Sequence, residues 1–206
     1  AGIAPALDQA RASLAAELEA RGPREYALVR TLRQALPRDA VLVLDAALIN
    51  EWLNHAFSVY APRTYLTPSS SGTLGFALPA ALGAQIAFPG RTVVAVVGDG
   101  GFLFSAQELA TAVKYGLDVI VLLFNDTGFG TIRYFQEEQF GGRIVDAALD
   151  NPDFGVFAHS FGCQAHRARD PESLGAVLRQ SLSERGANGP RPTLIEVPIA
   201  VGYPAH

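Results

Sequence analysis

The stretch TVVAVVGDGG, residues Thr92–Gly101, joins an apolar run to a glycine-rich turn that contains Asp99. The stretch VIVLLFNDTG, residues Val119–Gly128, has the same arrangement, with Asp126 soon after the apolar run. Continuous apolar runs of this length are typical of strands buried on both faces, as in a parallel sheet. Because each acidic residue follows the end of a strand, we predict that both side chains lie in one crevice at the carboxyl edge of the sheet.

Two further apolar runs, Val41–Leu44 and Thr193–Val197, extend the series of predicted strands. Helical patterns separate the strands, and a polar residue placed to begin a helix precedes three of them: Ser105 with Glu108, Asn151-Pro152 and Asp170-Pro171. Two more helices, Ala6–Arg21 and Glu25–Leu36, precede the first strand. The pattern predicts the α/β class, with a layered, mainly parallel sheet and helices on both faces.

Composition excludes several functional classes. The chain has 206 residues, 49% of them hydrophobic, and a net charge of −4 without any basic run, so neither nucleic acid nor an acidic membrane surface is an expected partner. No apolar stretch approaches the roughly 20 residues that a spanning helix requires. A single cysteine excludes an internal disulfide and a multi-cysteine zinc site. We expect a cytoplasmic protein.

The two turns after the strands suggest a specific kind of ligand. The glycines around Asp99 allow close approach of the backbone, and consecutive N–H groups suit phosphate oxygens. Two neighbouring carboxylates would repel a phosphate unless a hard divalent cation lies between them. The residues together therefore predict a Mg²⁺–diphosphate site, although each turn taken alone is better explained as a tight turn.

The spacing of these turns resembles a known motif. Asn125 lies 26 positions after Asp99, and the thiamin-diphosphate motif begins with Gly-Asp-Gly and ends with Asn at this distance. From Arg24 to Pro198 the chain resembles the C-terminal, diphosphate-binding domain of thiamin-diphosphate-dependent enzymes of the acetolactate synthase, pyruvate decarboxylase and benzoylformate decarboxylase group. The segments that carry this resemblance are Gly72–Ala81, Gln107–Ala112, Asn151–Phe154 and Thr193–Val197.

The resemblance implies particular site residues. Asp99, the side chain of Asp126, where many relatives have Asn, and the carbonyl of Gly128 would bind Mg²⁺. Residues implied to contact thiamin diphosphate are Asn50, Gly72, Leu74, Gly98, Gly100, Gly101 and Asn125, among which Leu74 would support the bent cofactor and Gly72 would accept a hydrogen bond from its pyrimidine. Asn50 could equally be a helix N-cap. Thr131, Ile132 and Phe135 would border the substrate, and Arg133 is interpreted as a solvated helix charge.

The same resemblance implies a reaction class. We expect a thiamin-diphosphate- and Mg²⁺-dependent 2-oxo-acid decarboxylase or an acetolactate-synthase-like carboligase acting on a small 2-oxo acid. Residues Asp45–Asn50 lack the Gly-Gln-His of many acetolactate synthases, which argues against a standard biosynthetic enzyme of that type. Transketolase-like transfer and a noncatalytic cofactor-binding or oligomerisation module remain as alternatives.

Part of the active site of such enzymes lies in another domain. A glutamate that activates the cofactor belongs to a pyrimidine-binding domain, and nothing in this sequence resembles that domain. We therefore expect residues 1–24 to be a linker helix from a preceding domain and residues 25–206 to form the cofactor domain. The chain would be a C-terminal piece of a longer enzyme, or a subunit with a separate partner, assembled as a homodimer or tetramer.

Overall fold

The computed structural model describes residues 3–185, 189–199 and 202–204. Along these residues the elements are α1 (Ile3–Arg21), α2 (Pro23–Ala35), β1 (Val41–Leu44), α3 (Leu48–Ala56), β2 (Tyr65–Leu66), α4 (Ala77–Ala87), β3 (Val93–Gly98), α5 (Asp99–Leu103), α6 (Glu108–Lys114), β4 (Val119–Asn125), α7 (Gly130–Gln139), α8 (Phe154–Ser160), β5 (Gln164–Arg167), α9 (Pro171–Glu184) and β6 (Thr193–Pro198). The four strands predicted from apolar runs are confirmed as β1, β3, β4 and β6, with ends that differ by one residue at most.

The six strands form one sheet in the order β2-β1-β3-β4-β6-β5, and every neighbouring pair is parallel. Strands β3 and β4 lie at the centre, with Val93 opposite Val119 and Gly98 opposite Phe124. Their last residues are therefore at the same edge, and the turns that follow them are neighbours. This confirms the predicted α/β fold with a parallel sheet.

Each face of the sheet has its own hydrophobic core. Along β1, Leu42 and Leu44 pack with α2, α3 and α9, while Val41 and Val43 pack with α4, α6 and α8 on the opposite face. All four side chains are buried, and burial of a leucine or valine stabilises a fold by about 1.5–3 kcal/mol. Continuous apolar strands are thus required because both faces are covered by helices.

Two of the predicted helix starts are wrong and one is confirmed. Asp170 is the N-cap of α9, where its carboxylate accepts from the Ser173 N–H at 2.7 Å. Helix α6 begins only at Glu108 without a side-chain cap, because residues before it form successive tight turns and the Ser105 hydroxyl is buried. Helix α8 is capped by Asp153, two residues after Asn151, whose side chain lies elsewhere.

The N-terminal helix contacts little of the domain. Helix α1 packs against α2, and Leu18 is its one buried residue. The division into a linker at residues 1–24 and a cofactor domain at 25–206 stays a prediction, and residues 186–188, 200–201 and 205–206 of that range lie outside the described residues. None of the helices in the described ranges has the length and apolarity required to cross a lipid bilayer.

Candidate functional site

A cavity of about 290 Å³ lies at the carboxyl ends of β1, β3 and β4. Open parallel sheets bind their ligands at this edge. The walls are mostly apolar, with two carboxylates among them. The lining residues are Ala46, Ala47, Leu48, Ile49, Gly72, Leu74, Gly98, Asp99, Gly100, Gly101, Phe124, Asp126, Gly128, Phe129, Gly130, Thr131, Ile132 and Ile199.

Most residues singled out in the sequence lie at this cavity. Ten of them line it: Gly72, Leu74, Gly98, Asp99, Gly100, Gly101, Asp126, Gly128, Thr131 and Ile132. Asn50, Asn125 and Phe135 are not among the lining residues. The roles of all thirteen in cofactor, metal or substrate binding stay predictions.

Three helices begin at the cavity wall. Helix α3 starts at Leu48, α5 at Asp99 and α7 at Gly130, and all three first residues line the cavity. The N-terminus of a helix carries unpaired N–H groups and the positive end of the helix dipole. Their convergence favours an anionic ligand, as at phosphate-binding sites.

Asp99 is a buried carboxylate, only 1% exposed, at the first position of α5. Its Oδ2 accepts a hydrogen bond from the Gly128 N–H at 2.9 Å and a second from the Asn151 side-chain amide at 2.6 Å. These donors hold the carboxylate in one orientation. They also join the turn after β3 to the turn after β4.

Asp126 completes a pair of carboxylates at the cavity. Its Oδ2 accepts from the Arg133 guanidinium at 2.9 Å, so Arg133 is part of the site and its interpretation as a solvated helix charge is wrong. Burial and the neighbouring Asp99 carboxylate raise the pKa of Asp126 to about 6, and Arg133 opposes this shift. Two carboxylates this close repel each other, and a divalent cation between them would remove the repulsion.

The β4–α7 loop, which includes residues Asn125–Gly128, adopts an uncommon backbone conformation. Thr127 has a φ of 57°, which is rare for a β-branched residue. The Leu149 N–H donates to the Thr127 carbonyl at 3.0 Å, and the Phe129 N–H donates to the Ala147 carbonyl at 2.8 Å. Within the described part of the chain, no backbone N–H donates to the Gly128 carbonyl, which leaves that oxygen available to a cation.

The donor set is small. Among residues 3–185, 189–199 and 202–204, no group of three or more His, Cys, Asp and Glu side chains is arranged to hold a metal ion. The oxygen donors at the cavity include the two carboxylates and the carbonyl of Gly128. Hard oxygen donors of this kind suit Mg²⁺, which normally keeps bonds to phosphate and water as well.

Asn125 connects the loop to Asn151 and to the neighbouring strand β6. Asn125 Oδ1 accepts from the Thr127 N–H at 3.1 Å and from the Asn151 amide at 3.0 Å. The Asn125 amide donates to the buried Glu196 carboxylate on β6 at 2.8 Å. Asn125 thus shapes the β4–α7 loop, and its direct contact with a cofactor stays a prediction.

Asn151 is a site residue that sequence reasoning missed. It was interpreted as the start of a helix, yet its amide contacts Asp99 and Asn125, which lie 52 and 26 residues away. One signal could have indicated it, because Asn151–Phe154 was among the segments that resemble the thiamin-diphosphate enzymes. That resemblance did not assign a role to the Asn151 side chain.

Asp45, directly after β1, is a second buried carboxylate. Unlike Asp99, it was not assigned a role from the sequence. It is 3% exposed and accepts from the N–H groups of Ala46 at 2.9 Å, Gly75 at 3.1 Å and Ala77 at 2.9 Å. Of these donors, Gly75 lies just before α4 and Ala77 is the first residue of that helix. Asp45 therefore fixes the segment that carries Leu74 onto the end of β1.

Two glycines are required by close packing at the cavity. A β-carbon on Gly100 would lie 2.6 Å from the ring of Phe129, and one on Gly101 would lie 2.8 Å from Oδ1 of Asp45. Both distances are shorter than van der Waals contact permits. The backbone of α5 can therefore pack this closely against Phe129 and Asp45 only with glycine at both positions.

Asn50 does not cap helix α3. The N-cap of α3 is Ala47, so the N-cap interpretation is wrong. The Asn50 amide donates to the carbonyl of Asp45, and the residue lines a neighbouring hollow of about 200 Å³ instead of the main cavity. A hydrogen bond from Asn50 to a bound diphosphate stays a prediction.

Replacement of Asn151 provides a test of the hydrogen-bonded site. In the metal-free protein we expect Asn151→Asp to lower the free energy of unfolding more than Asn151→Ala, because the new carboxylate would lie beside Asp99. Loss of the amide alone should cost about 1–3 kcal/mol. Mg²⁺ should stabilise the Asp variant more than the Ala variant, since a cation neutralises the added charge. Urea unfolding with Mg²⁺ and with chelator measures both effects, and equal Mg²⁺ responses would contradict this arrangement.

Comparisons with known proteins agree with the site. Residues 45–197 match the family described as "Thiamine pyrophosphate enzyme, C-terminal TPP binding domain". The matched residues begin at Asp45, directly after β1, and end in β6, so they include the ends of β3 and β4 and the turns that follow them.

Individual relatives give the same picture. An acetolactate synthase of Bacillus subtilis is 35% identical over 172 residues, which are 84% of this chain and 29% of the relative. A probable 2-ketoarginine decarboxylase of Pseudomonas aeruginosa is 38% identical over 175 residues, 83% of this chain and 30% of that protein. The solved structure of a thiamine diphosphate-dependent 4-hydroxybenzoylformate decarboxylase from Rhodococcus jostii superimposes with a TM-score of 0.78 and 27% identity, covering 87% of this chain and 33% of the other. The chain thus spans about a third of the length of these relatives.

Proposed function

Since the chain belongs to the thiamine pyrophosphate enzymes, as their C-terminal TPP-binding domain, we propose that it binds the cofactor diphosphate through Mg²⁺ in the cavity at the carboxyl ends of β1, β3 and β4. It would do so as the cofactor domain of a 2-oxo-acid decarboxylase or an acetolactate-synthase-like carboligase. The observation that carries the proposal is the pair of carboxylates, Asp99 and Asp126, beside a glycine-lined cavity.

The metal would be held by three oxygen donors of this chain. Asp99 and Asp126 would each contribute a carboxylate oxygen, and Gly128 would contribute its carbonyl. The fit is supported by the chemistry of the donors, because hard carboxylate and carbonyl oxygens are the ligands of Mg²⁺. The raised pKa of Asp126 also supports it, since this shift reflects burial next to a second negative charge.

The diphosphate would lie against the backbone of the turn after β3. Gly98, Gly100 and Gly101 line the cavity there, and the close packing at the last two leaves room for no side chain. N–H groups at the starts of α3, α5 and α7 would favour the anion. Asn50 and Asn125 would support this end of the cofactor from the surrounding shell.

Leu74 and Gly72 also line the cavity. Leu74 would support the bent form of the cofactor, and the carbonyl of Gly72 would accept a hydrogen bond from its pyrimidine. When bound, thiamin diphosphate supplies the carbon nucleophile and the electron sink that allow a 2-oxo acid to lose carbon dioxide. The contribution of this chain is to orient the cofactor and keep water away from it.

A small 2-oxo acid is the proposed substrate. Thr131 and Ile132, on the first turn of α7, line the cavity and would border the acyl group. Phe135 lies one turn further along the helix and is 37% exposed, so it would contribute only at the outer rim. The mixture of one hydroxyl and apolar side chains favours an apolar acyl group.

The proposed activity requires a second domain. The chain spans about a third of its relatives, and a pyrimidine-binding domain from the same longer chain or from a partner subunit would complete the site. A homodimer or tetramer would bring such domains together. This proposal rests on the family resemblance and on the length of the relatives.

Calorimetric titration of thiamin diphosphate into the assembled protein, with Mg²⁺ and with chelator, tests the proposal. Binding that requires Mg²⁺, together with carbon dioxide release from 2-oxo acids, would support it. Binding without turnover of any 2-oxo acid would favour the noncatalytic module, and turnover of ketose phosphates instead would favour transketolase-like transfer. Absence of binding would overturn the proposed site.

A further inference from the structure

Arg133 is placed to act on one of the two carboxylates of the cavity. It lies on the first turn of α7, where its backbone N–H donates to the Phe129 carbonyl at 2.9 Å. Its guanidinium points back toward the β4–α7 loop and meets Asp126 Oδ2 at 2.9 Å. The Arg133 side chain is 28% exposed and that of Asp126 is 10% exposed, so solvent screens this ion pair less than an ordinary surface pair.

The backbone next to the Arg133–Asp126 contact leaves space for it. A β-carbon on Gly130 would overlap Asp126 Oδ2, whereas one on Gly128 would first overlap the Ala147 carbonyl and would lie 3.3 Å from the Arg133 guanidinium. Gly130 therefore leaves the space that the Asp126 carboxylate occupies when it meets Arg133. An ion pair between solvent-exposed side chains would not require a glycine at this position.

Charge balance shows why the pair matters. The cavity is lined by Asp99 and Asp126, and no Lys, Arg or His is among its lining residues. Among the described residues, one ion pair involves either of these carboxylates, and it joins Arg133 to Asp126. A cation held by these carboxylates must also bind a diphosphate, and an uncompensated second carboxylate would repel that anion.

We propose that Arg133 is a positioning residue that neutralises the charge of Asp126, so that the site accepts a diphosphate as well as the cation. This inference rests on the proposed function. Arg133 holds one oxygen of Asp126 and leaves the other for the cation. Its effect is therefore on the affinity for the anion, and Mg²⁺ itself gains nothing from a positive charge nearby.

A double-mutant cycle with Asp126→Asn and Arg133→Gln tests the inference in the assembled protein. Calorimetry gives the dissociation constant of thiamin diphosphate at saturating Mg²⁺ and, separately, that of Mg²⁺ without cofactor. We expect Arg133→Gln alone to weaken thiamin diphosphate binding about tenfold and to leave Mg²⁺ binding unchanged or tighter. In the Asp126→Asn background the same substitution should change cofactor affinity less than twofold, because no charge remains to be neutralised.

Two further variants separate charge from structure. Arg133→Lys keeps the positive charge and should restore most of the cofactor affinity. Arg143→Gln removes an exposed arginine whose guanidinium donates to the Phe140 carbonyl, and it should have no effect. Weakening of both Mg²⁺ and cofactor by Arg133→Gln would indicate a merely structural role and overturn the inference.

The remaining outcomes are also decisive. An equal loss of cofactor affinity in both backgrounds would mean that Arg133 contacts the diphosphate directly, and no loss in either would mean that it has no role. Either result overturns the inference but leaves the proposed function intact. If the unaltered protein shows no Mg²⁺-dependent binding, the proposed function and this inference both fail.

Discussion

An Asp99→Ala protein is expected to bind thiamin diphosphate no better with Mg²⁺ than with chelator. Asp99 offers a buried carboxylate whose orientation is set by the Gly128 N–H and the Asn151 amide. Loss of a residue that merely supports a metal ligand costs roughly 10–100-fold in metal affinity, so loss of the ligand itself should exceed about 100-fold. Calorimetric titration of the assembled protein measures the difference.

Two variants control for other effects of this substitution. Asp99→Asn keeps an oxygen that can accept from Gly128 but removes the charge, and it should retain part of the Mg²⁺ dependence. Asp150→Asn removes an exposed carboxylate close in sequence to Asn151 and should behave as the unaltered protein does. Full Mg²⁺-dependent binding by Asp99→Ala would exclude this carboxylate as a ligand, and the proposed metal site with it.

Replacement of Asp45 by alanine should produce the largest loss of stability among the site residues. Its carboxylate is buried and accepts three backbone hydrogen bonds, from Ala46, Gly75 and Ala77. Hydrogen bonds to a charged group stabilise by about 1.5–3 kcal/mol each. Without the carboxylate, the three N–H groups would be left buried without an acceptor or would bind water instead. We expect Asp45→Ala to lower the free energy of unfolding by about 3 kcal/mol in urea titrations without cofactor.

The same substitution should also affect the cavity. The segment from Gly72 to Ala77 would lose its attachment to β1, so Leu74 should be held less firmly. Asp45→Asn keeps one acceptor oxygen and should lose about half as much stability. Asp39→Ala, at an exposed carboxylate 3.8 Å from Arg91, should change the free energy of unfolding by less than about 0.5 kcal/mol. A loss from Asp45→Ala no larger than that from Asp39→Ala would show that Asp45 does not anchor the segment.

Sequence patterns predicted the sheet well because strands that are buried on both faces consist of continuous apolar runs. β3 and β4 are continuous apolar runs, and their pairing in parallel register brings the two turns that follow them together. The N-cap of α9 was also predicted, since Asp170 and Ser173 bond to each other over three residues. Features that depend on near neighbours in the chain were therefore accessible to sequence reasoning.

The incorrect predictions share a different cause. Ser105 resembles a helix N-cap, yet it lies in a run of tight turns where its hydroxyl is buried against other parts of the fold. Arg133 resembles a solvated helix charge, yet its partner is a carboxylate in the preceding loop. In both cases the local pattern was compatible with more than one structure, and contacts outside the pattern decided between them.

The sequence by itself determined the class of the fold, the family and the carboxylates after the two central strands, because apolar runs and motif spacing are properties of one stretch of chain. Tertiary structure alone decided which polar groups hold the segments around the cavity in place. Asn151 reaches Asp99 across 52 residues, Glu196 reaches Asn125 across 71, and Asp45 reaches Ala77 across 32. Hydrogen bonds of 2.6–2.9 Å require atomic positions that only the packed sheet and helices define, so no spacing in the sequence could indicate them.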